Sequence, residues 1–327
     1  MNLSIIICSI NDQEETQATI KSIRATAGDA PEIVLVDDCS GSPLAGDWRF
    51  QGIPNLKLVS NRWRCGCGPS RHIGALNASG DWLLITDSHM RFTEGWFEAA
   101  SLRHMDWTGS GLSGDTIFCA TCLGLDRDHL DVTKPVGEYN GATYNFHGPD
   151  RQFPEKTQTL ECVWLRKEEV PADDAEIPAI MGAGYFISKE WFLHLGACRH
   201  LRTWGQDELM LAMKSWLAGG EVRLAKTIRI GHRFPVKGEV KWFNLPLGHV
   251  AFNKIMAAHS LFPAPLAERF TEWLLSPEQK EDARDAQAAR RLMVDDWHII
   301  AQEMAYNRTI FVRDAAWLAA KFNLQLP

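Results

Sequence analysis

No apolar run in this chain reaches the ~18–20 residues that a membrane-crossing helix needs. The first apolar stretch, Leu3 to Ile10, lacks a basic leader and a cleavage site, so no signal peptide is expected. Basic excess is also missing. The chain has 34 Lys and Arg against 41 Asp and Glu, a formal charge of −7, which argues against a non-specific nucleic-acid coat but leaves room for a local basic groove. Internal repeats and low-complexity linkers are absent, and disorder, collagen and coiled coil are excluded as the dominant class. Eight scattered cysteines do not form a disulfide framework in a chain this long. Cys65-Gly-Cys67 and Cys119-Ala-Thr-Cys122 supply four thiols for a zinc site, but the arms are far apart and neither sits in a typical knuckle. Reduced thiols in a cytoplasmic protein are the simpler expectation.

What is present is an ordinary globular balance: 327 residues, 45% apolar and 23% charged, enough for one large domain or two modest ones. Short apolar runs alternate with helical patterns over the first ninety residues. Strands are expected at Ile5-Ile6-Ile7, Ile33 to Val36, Leu56 to Val59 and Trp82 to Ile85, with helices from Asn11 to about Ala25 and from Pro69 to Ala78. Continuous apolar strands indicate a sheet covered on both faces, and the alternation indicates an α/β, doubly wound core. A helix is expected at 94–104. Residues 110–170 are irregular, with short strands at 115–123 and 160–166, as in a substrate-side insertion. Helices follow at Lys189–Leu195 and Gln206–Leu217, then strands at 222–226 and 228–231. From about 248 the chain reads as nearly all helix, broken at Pro263, Pro265 and Pro277. Leu292, Met293, Trp297 and Ile300 form a packing stripe there.

Open parallel sheets bind ligands at the carboxyl ends of their strands. Those ends carry Asp37-Asp38, Asp87-Ser88-His89 and Gly231-His232-Arg233. In extended backbone Asp87 and His89 point the same way, so a carboxylate and an imidazole can meet one cation, and His232 can join them if the late strand lies alongside. Two imidazoles and a carboxylate suit a first-row divalent ion, with open positions for a diphosphate. The alternative is that Asp87 caps the next helix and the histidines are ordinary.

Asn11, Val36-Asp37-Asp38, Ser70-Arg71 and Gly80 through His89 resemble a family-2-type glycosyltransferase with the GT-A fold. The Asp-Ser-His form with Gly95-Trp96, Gly182-Ala183-Gly184-Tyr185-Phe186, Leu195-Gly196, Trp204 to Glu208 and Gly231-His232-Arg233-Phe234 is most similar to the polypeptide N-acetylgalactosaminyltransferases. The blocks keep the family's order over residues 3–255. The resemblance implies Asp87, His89 and His232 as manganese ligands and a UDP-sugar as donor. It implies Asp38 at the uracil edge, Cys8 near the base, and Arg71 and Ser88 at the nucleotide. Ala183 and Gly184 would admit the sugar, Trp204 would form part of its pocket, and Asp207 would take the place of the family's acid. Glu208 is the neighbouring candidate, although two acids at a helix start are also ordinary.

The chain departs from the family pattern at Pro235, where a diphosphate-binding arginine is usual; Arg233 or Lys237 are the candidate substitutes. Gln206-Asp207-Glu208 replaces Gly-Glu-Asn, and Met90-Arg91 replaces Cys-Glu. Neither a membrane anchor nor a lectin module is seen, which suggests a bacterial or viral setting. The expected organisation is a catalytic domain over 1–260 and a helical extension over 261–327. The nearest relatives imply a retaining transfer; the wider family is mostly inverting and would use Asp207 or Glu208 as general base. A nucleotidyltransferase and a non-catalytic nucleotide-sugar binder are the competing readings. The acceptor is open between a protein hydroxyl, a glycan, a lipid-linked sugar and a hydroxylated DNA base. Trp63, Trp107, Trp164, Trp204 and Trp242 can stack on sugars or bases, and Lys241, Arg290, Arg291, Arg308 and Arg313 are candidates for a basic patch.

Overall fold

The computed structural model describes residues 1–109, 114–151, 154–181, 183–196, 198–234, 245–276 and 283–327. Its first part alternates as the apolar runs require: β1 (Leu3–Ser9), α1 (Gln13–Ala27), β2 (Glu32–Asp37), β3 (Leu56–Ser60), α2 (Cys67–Asn77) and β4 (Trp82–Thr86). These strands pair in parallel in the order β3-β2-β1-β4. Both faces are covered, which is why the runs are continuous rather than alternating. Ile6, Val34, Val36, Leu83 and Ile85 enter one core layer, and Ile5, Ile7, Ile33, Leu35 and Leu84 enter the other.

Beyond β4 the sheet becomes mixed. β5 (Met90–Phe92) is followed by α3 (Trp96–Gly109), β6 (Thr116–Gly124), β7 (Gly137–Tyr139), β8 (Ala142–Pro149) and β9 (Thr157–Trp164). Then come β10 (Tyr185–Ser188), α4 (Lys189–Leu195), α5 (Asp207–Leu217) and β11 (Glu221–His232). The sheet continues β4-β10-β6-β11-β5, with β10 and β5 antiparallel to their neighbours and β7 paired to β6. β8 and β9 form a separate antiparallel hairpin. The irregular reading of 110–170 therefore missed β7 and β8. The two strands expected at 222–226 and 228–231 are one strand, interrupted by a register shift between Ala225 and Arg229.

Five helices follow among the described residues: α6 (His249–Leu261), α7 (Ala264–Leu275), α8 (Ala283–Asp295), α9 (Trp297–Ile310) and α10 (Ala315–Phe322). The break at Pro263 is seen; Pro277 lies outside the described residues. α6 packs on α7, α8 and α9, and Phe252, Phe270, Ala289, Ile300 and Leu318 share one core layer with Trp216 and Leu217 of α5. Of the expected stripe, Ile300 is buried, while Trp297 is exposed and meets His259 edge to face.

Candidate active site

The carboxyl ends of β1, β2 and β4 and the end of β11 open on one cavity of about 460 Å³. β4 stops at Thr86, and Asp87-Ser88-His89 turns the chain into β5. β5 pairs antiparallel with the end of β11, so that His232 lies opposite Met90. That register brings the rings of His89 and His232 to a centroid distance of 4.9 Å. His232 Nε2 is 3.3 Å from Asp87 Oδ2, and ligand atoms of Asp87, His89 and His232 all lie within 4.8 Å of one another. No other such set occurs among the described residues. The four thiols of the zinc alternative do not converge: Cys119 and Cys122 of β6 enter opposite core layers.

Metal ligation requires deprotonated donors. Burial alone would raise the Asp87 carboxyl, but the His232 hydrogen bond and the Arg71 charge outweigh it and hold Asp87 well below the usual carboxylate range. Burial pushes the His89 imidazole down, against the pull of Asp87, and favours its neutral form. His232 Nδ1 is buried without a hydrogen-bond partner among the described residues. An ionised carboxylate and a neutral imidazole, with a second imidazole facing them, fit a first-row divalent cation.

Arg71, on α2 and 4% exposed, is the second centre of the site. Its guanidinium donates to Asp87 Oδ1 at 2.9 Å and to Asp207 Oδ2, and lies 3.8 Å from Glu208 Oε1. It therefore ties Asp87 to the start of α5. Its fork faces these carboxylates, whereas the family resemblance implied a nucleotide contact. Asp207 is 3% exposed and engaged with Arg71; the Glu208 side chain is 25% exposed. Burial pushes the Glu208 carboxyl up, and Arg71 opposes it.

Asp38 lines the cavity with both oxygens occupied. It accepts from the backbone N–H of Cys65 at 2.7 Å and of Gly66 at 2.8 Å, and from Asn61 Nδ2 at 2.9 Å. It thus fastens the 61–66 loop. Gly66 has φ +98°, and a Cβ there would sit 2.1 Å from the Thr203 carbonyl oxygen. Only glycine allows that approach, where Cys67 N–H donates to Thr203 O at 2.9 Å and Thr203 N–H to Cys65 O at 3.1 Å. Cys8 lines the cavity too, its thiol pushed up to about 12 by burial.

Ser88, Ala183, Trp204 and Arg233 also line the cavity, with Trp204 half exposed on its rim. Ser88 Oγ donates to Asp12 Oδ2 at 3.0 Å, and Thr86 Oγ1 donates to Ala183 O at 3.1 Å. Arg233 Nη1 is 3.8 Å from Glu15 Oε1. A Cβ at Gly184 would meet Ile230 Cδ1 at 3.0 Å, so its small size serves packing within the sheet. Lys237, Pro235, Lys241, Trp242 and Gly182 lie outside the described residues.

Sequence reasoning missed Asp12. It lines the cavity, lies 4.0 Å from His89 Nδ1, and burial raises its carboxyl to about 6. The signal was available: Asp12 follows β1, and the strand-end rule applied to β2, β4 and β11 applies equally there. Thr203 and Arg64 are further lining residues that carried no motif, and Trp164, one of the candidate stacking tryptophans, lines the cavity as well.

Residues 4–156 match the sequence model of the family described as Glycosyl transferase family 2. That match lies in the N-terminal part of the chain. Similar proteins include polypeptide N-acetylgalactosaminyltransferase 8 of Drosophila melanogaster, 28% identical over 246 residues, which span 71% of this chain and 38% of the relative. Polypeptide N-acetylgalactosaminyltransferase 14 of Homo sapiens is 26% identical over 244 residues, spanning 72% of this chain and 41% of the relative. The chain thus matches about two fifths of these relatives' length. Among solved structures, GalNAc-T7 with UDP, GalNAc and Mn2+ superposes with a TM-score of 0.65 at 17% identity, over 99% of this chain and 56% of that one. S. aureus TarS 1-349 in complex with UDP-GlcNAc gives a TM-score of 0.54 at 11% identity, over 100% of this chain and 93% of that one. At these identities the likeness is one of fold, and the fold is GT-A-like.

Proposed function

We propose that the protein transfers a sugar from a UDP-sugar donor to an acceptor hydroxyl, and that it does so with a divalent cation, manganese being the first candidate. The observation that carries this reading is the convergence of Asp87, His89 and His232 beside a guanidinium–carboxylate cluster in one cavity. A bound divalent cation supplies neutralisation of the charge that develops on a diphosphate leaving group. The three residues would hold that cation, and Arg71 keeps Asp87 ionised and oriented for it. Asp38 and the loop it fastens form the nucleotide side, with Cys8 at the base, while Ser88 and Arg233 stand near the phosphates.

Of the two candidate acids, Glu208 is the better group to meet the donor or acceptor. Asp207 spends its charge on Arg71, whereas Glu208 reaches the cavity with a carboxyl whose proton affinity burial has increased. Such a group can act as base or stabilise positive charge at the anomeric carbon. Trp204 offers an indole at the rim for the sugar. The relatives' names favour transfer of an N-acetylhexosamine, and the anomeric configuration of the product decides between a retaining and an inverting course. Residues 1–260 form the proposed catalytic domain and 261–327 its helical extension.

The deciding experiment is a thermal-shift panel of nucleotide sugars, UDP-GalNAc and UDP-GlcNAc first, with Mn2+. A UDP-specific shift that chelation removes is expected, and Asp87→Ala, His89→Ala and His232→Ala should each abolish metal-dependent donor hydrolysis. Turnover that survives both chelation and all three substitutions would sink the metal assignment. A shift with many nucleoside triphosphates but no sugar preference would favour a nucleotidyltransferase.

A further inference from the structure

Trp204 stands on a segment whose backbone is unusual at three of four positions. Thr203 has φ 46°, Gly205 φ 93° and Gln206 φ 73°, immediately before the acids that begin α5. Left-handed non-glycine residues persist only where their surroundings over-determine them. On one side the segment is held by the 65–67 backbone through Thr203. On the other side its backbone is gripped by the side chain of Asn253 of α6.

Asn253 is fully buried. Its amide nitrogen donates to the carbonyls of Arg202 at 2.7 Å, Trp204 at 3.0 Å and Gly205 at 3.2 Å. Its amide oxygen accepts from the Arg202 N–H at 2.8 Å. One side chain from a helix far along the chain thus reads three carbonyls and one N–H of the turn that carries Trp204. Neighbouring α6 atoms add little that is polar: His249 Nδ1 reaches Thr203 Oγ1 only at 3.4 Å.

We infer that Asn253 is a positioning residue for the sugar-binding rim, fixing the turn that presents Trp204 and launches Asp207 and Glu208. The inference rests on the reading of Trp204 as a donor-sugar contact. It adds that α6, which lies beyond the stretch matching the family model, builds the sugar side of the site, whereas the nucleotide side is held from β2 and the 61–66 loop. A side chain that merely fills the core would affect both sides alike.

The test compares UDP with a UDP-sugar, both with Mn2+. In Asn253→Ala, affinity for UDP should stay within about twofold, while affinity for the UDP-sugar and its hydrolysis should fall about tenfold, as small misplacements at reacting centres do. Trp204→Ala should lose a similar factor, and the double variant should lose no more than either single one. Acrylamide quenching assigned to Trp204, by difference from Trp204→Phe, should rise in Asn253→Ala. Asn253→Asp keeps the acceptor for Arg202 but turns a carboxylate toward three carbonyls, so it should do at least as badly as alanine. If Asn253→Ala does not fold, Asn253→Ser carries the same comparison, since it keeps a polar group at the site while removing the amide that grips the turn. Equal loss of UDP and UDP-sugar affinity, additive losses in the double variant, or unchanged Trp204 quenching would overturn the assignment. A wild-type chain blind to every UDP-sugar would overturn the functional reading instead, and the quenching difference alone would then decide the role of Asn253.

Discussion

Arg71 has the most consequential single side chain of the site. It is almost wholly buried and serves Asp87, Asp207 and Glu208 together. Arg71→Ala would leave buried carboxylates uncompensated, a loss of about 3–5 kcal/mol in a denaturant titration. Arg71→Lys should recover little of it, because an ammonium lacks the planar fork that reaches two carboxylates at once. A variant as stable as wild type would show that the guanidinium does not hold the cluster. Asp38 invites a different test. Removing its carboxylate leaves two backbone N–H groups unpaired, each worth about 1–3 kcal/mol if it remains buried. Asp38→Ala should weaken UDP binding and, in parallel, speed tryptic cleavage after Arg62 or Arg64 in the loop it fastens; weakened binding without faster cleavage would favour direct contact with the base. The convergence of Asp87 and His89 was legible because they follow one strand two residues apart. Asp12 was not, since an acid at a helix start has an ordinary explanation that hid its place beside His89.

Among the elements, the turns at 65–67 and 202–206 decide the shape of the cavity, and two glycines there separate steric from conformational cost. At Gly66 a methyl group would collide with the Thr203 backbone, so Gly66→Ala should abolish the UDP-sugar thermal shift and lower the melting temperature. Gly205 also has positive φ, but a methyl group there meets nothing within 4 Å. Gly205→Ala should cost only the left-handed strain, about 1–2 kcal/mol, and keep the shift. Equal losses in the two variants would argue against the close approach. The four parallel strands were legible from continuous apolar runs. The antiparallel β10 and β5 were not, because their residues, such as Tyr185-Phe186-Ile187, are buried on both faces exactly as a parallel strand's would be. The insertion strand β8 was hidden by its Gly, Pro and Asn residues.

At the scale of the molecule, the helical part is joined to the site by a buried ion pair. Lys214 of α5 and Glu303 of α9 are both buried and bonded to each other, and His200 Nδ1 lies 2.7 Å from Glu303. Burial would raise the Glu303 carboxyl, but His200 and Lys214 prevail and hold it at about 2. An acid depressed in this way stabilises the fold above its unfolded value of about 4.5, and that contribution is lost as pH falls from about 4.5 toward 2. Wild-type melting temperature should drop through that window. Glu303→Gln should be less stable at pH 7 by about 3–5 kcal/mol, since Lys214 is left without its counter-charge, and should show a shallower drop in acid. A parallel pH profile in the two proteins would remove Glu303 from the account of acid sensitivity.

The missing basic excess has a local counterpart: in this acidic chain, the acids that matter are few and sit at strand ends. The sequence by itself determined the doubly wound core, the ends of its strands and the ordered blocks that resemble family 2 glycosyltransferases, because apolar periodicity and local spacing are written residue by residue. Tertiary structure alone decided the register that sets His232 against His89, the turning of Arg71 onto Asp207, the engagement of Asp38 with a loop, and the grip of Asn253 on the Trp204 turn. Each of these joins residues more than 20 positions apart, and such pairings depend on how the elements pack, which no short stretch of the chain encodes.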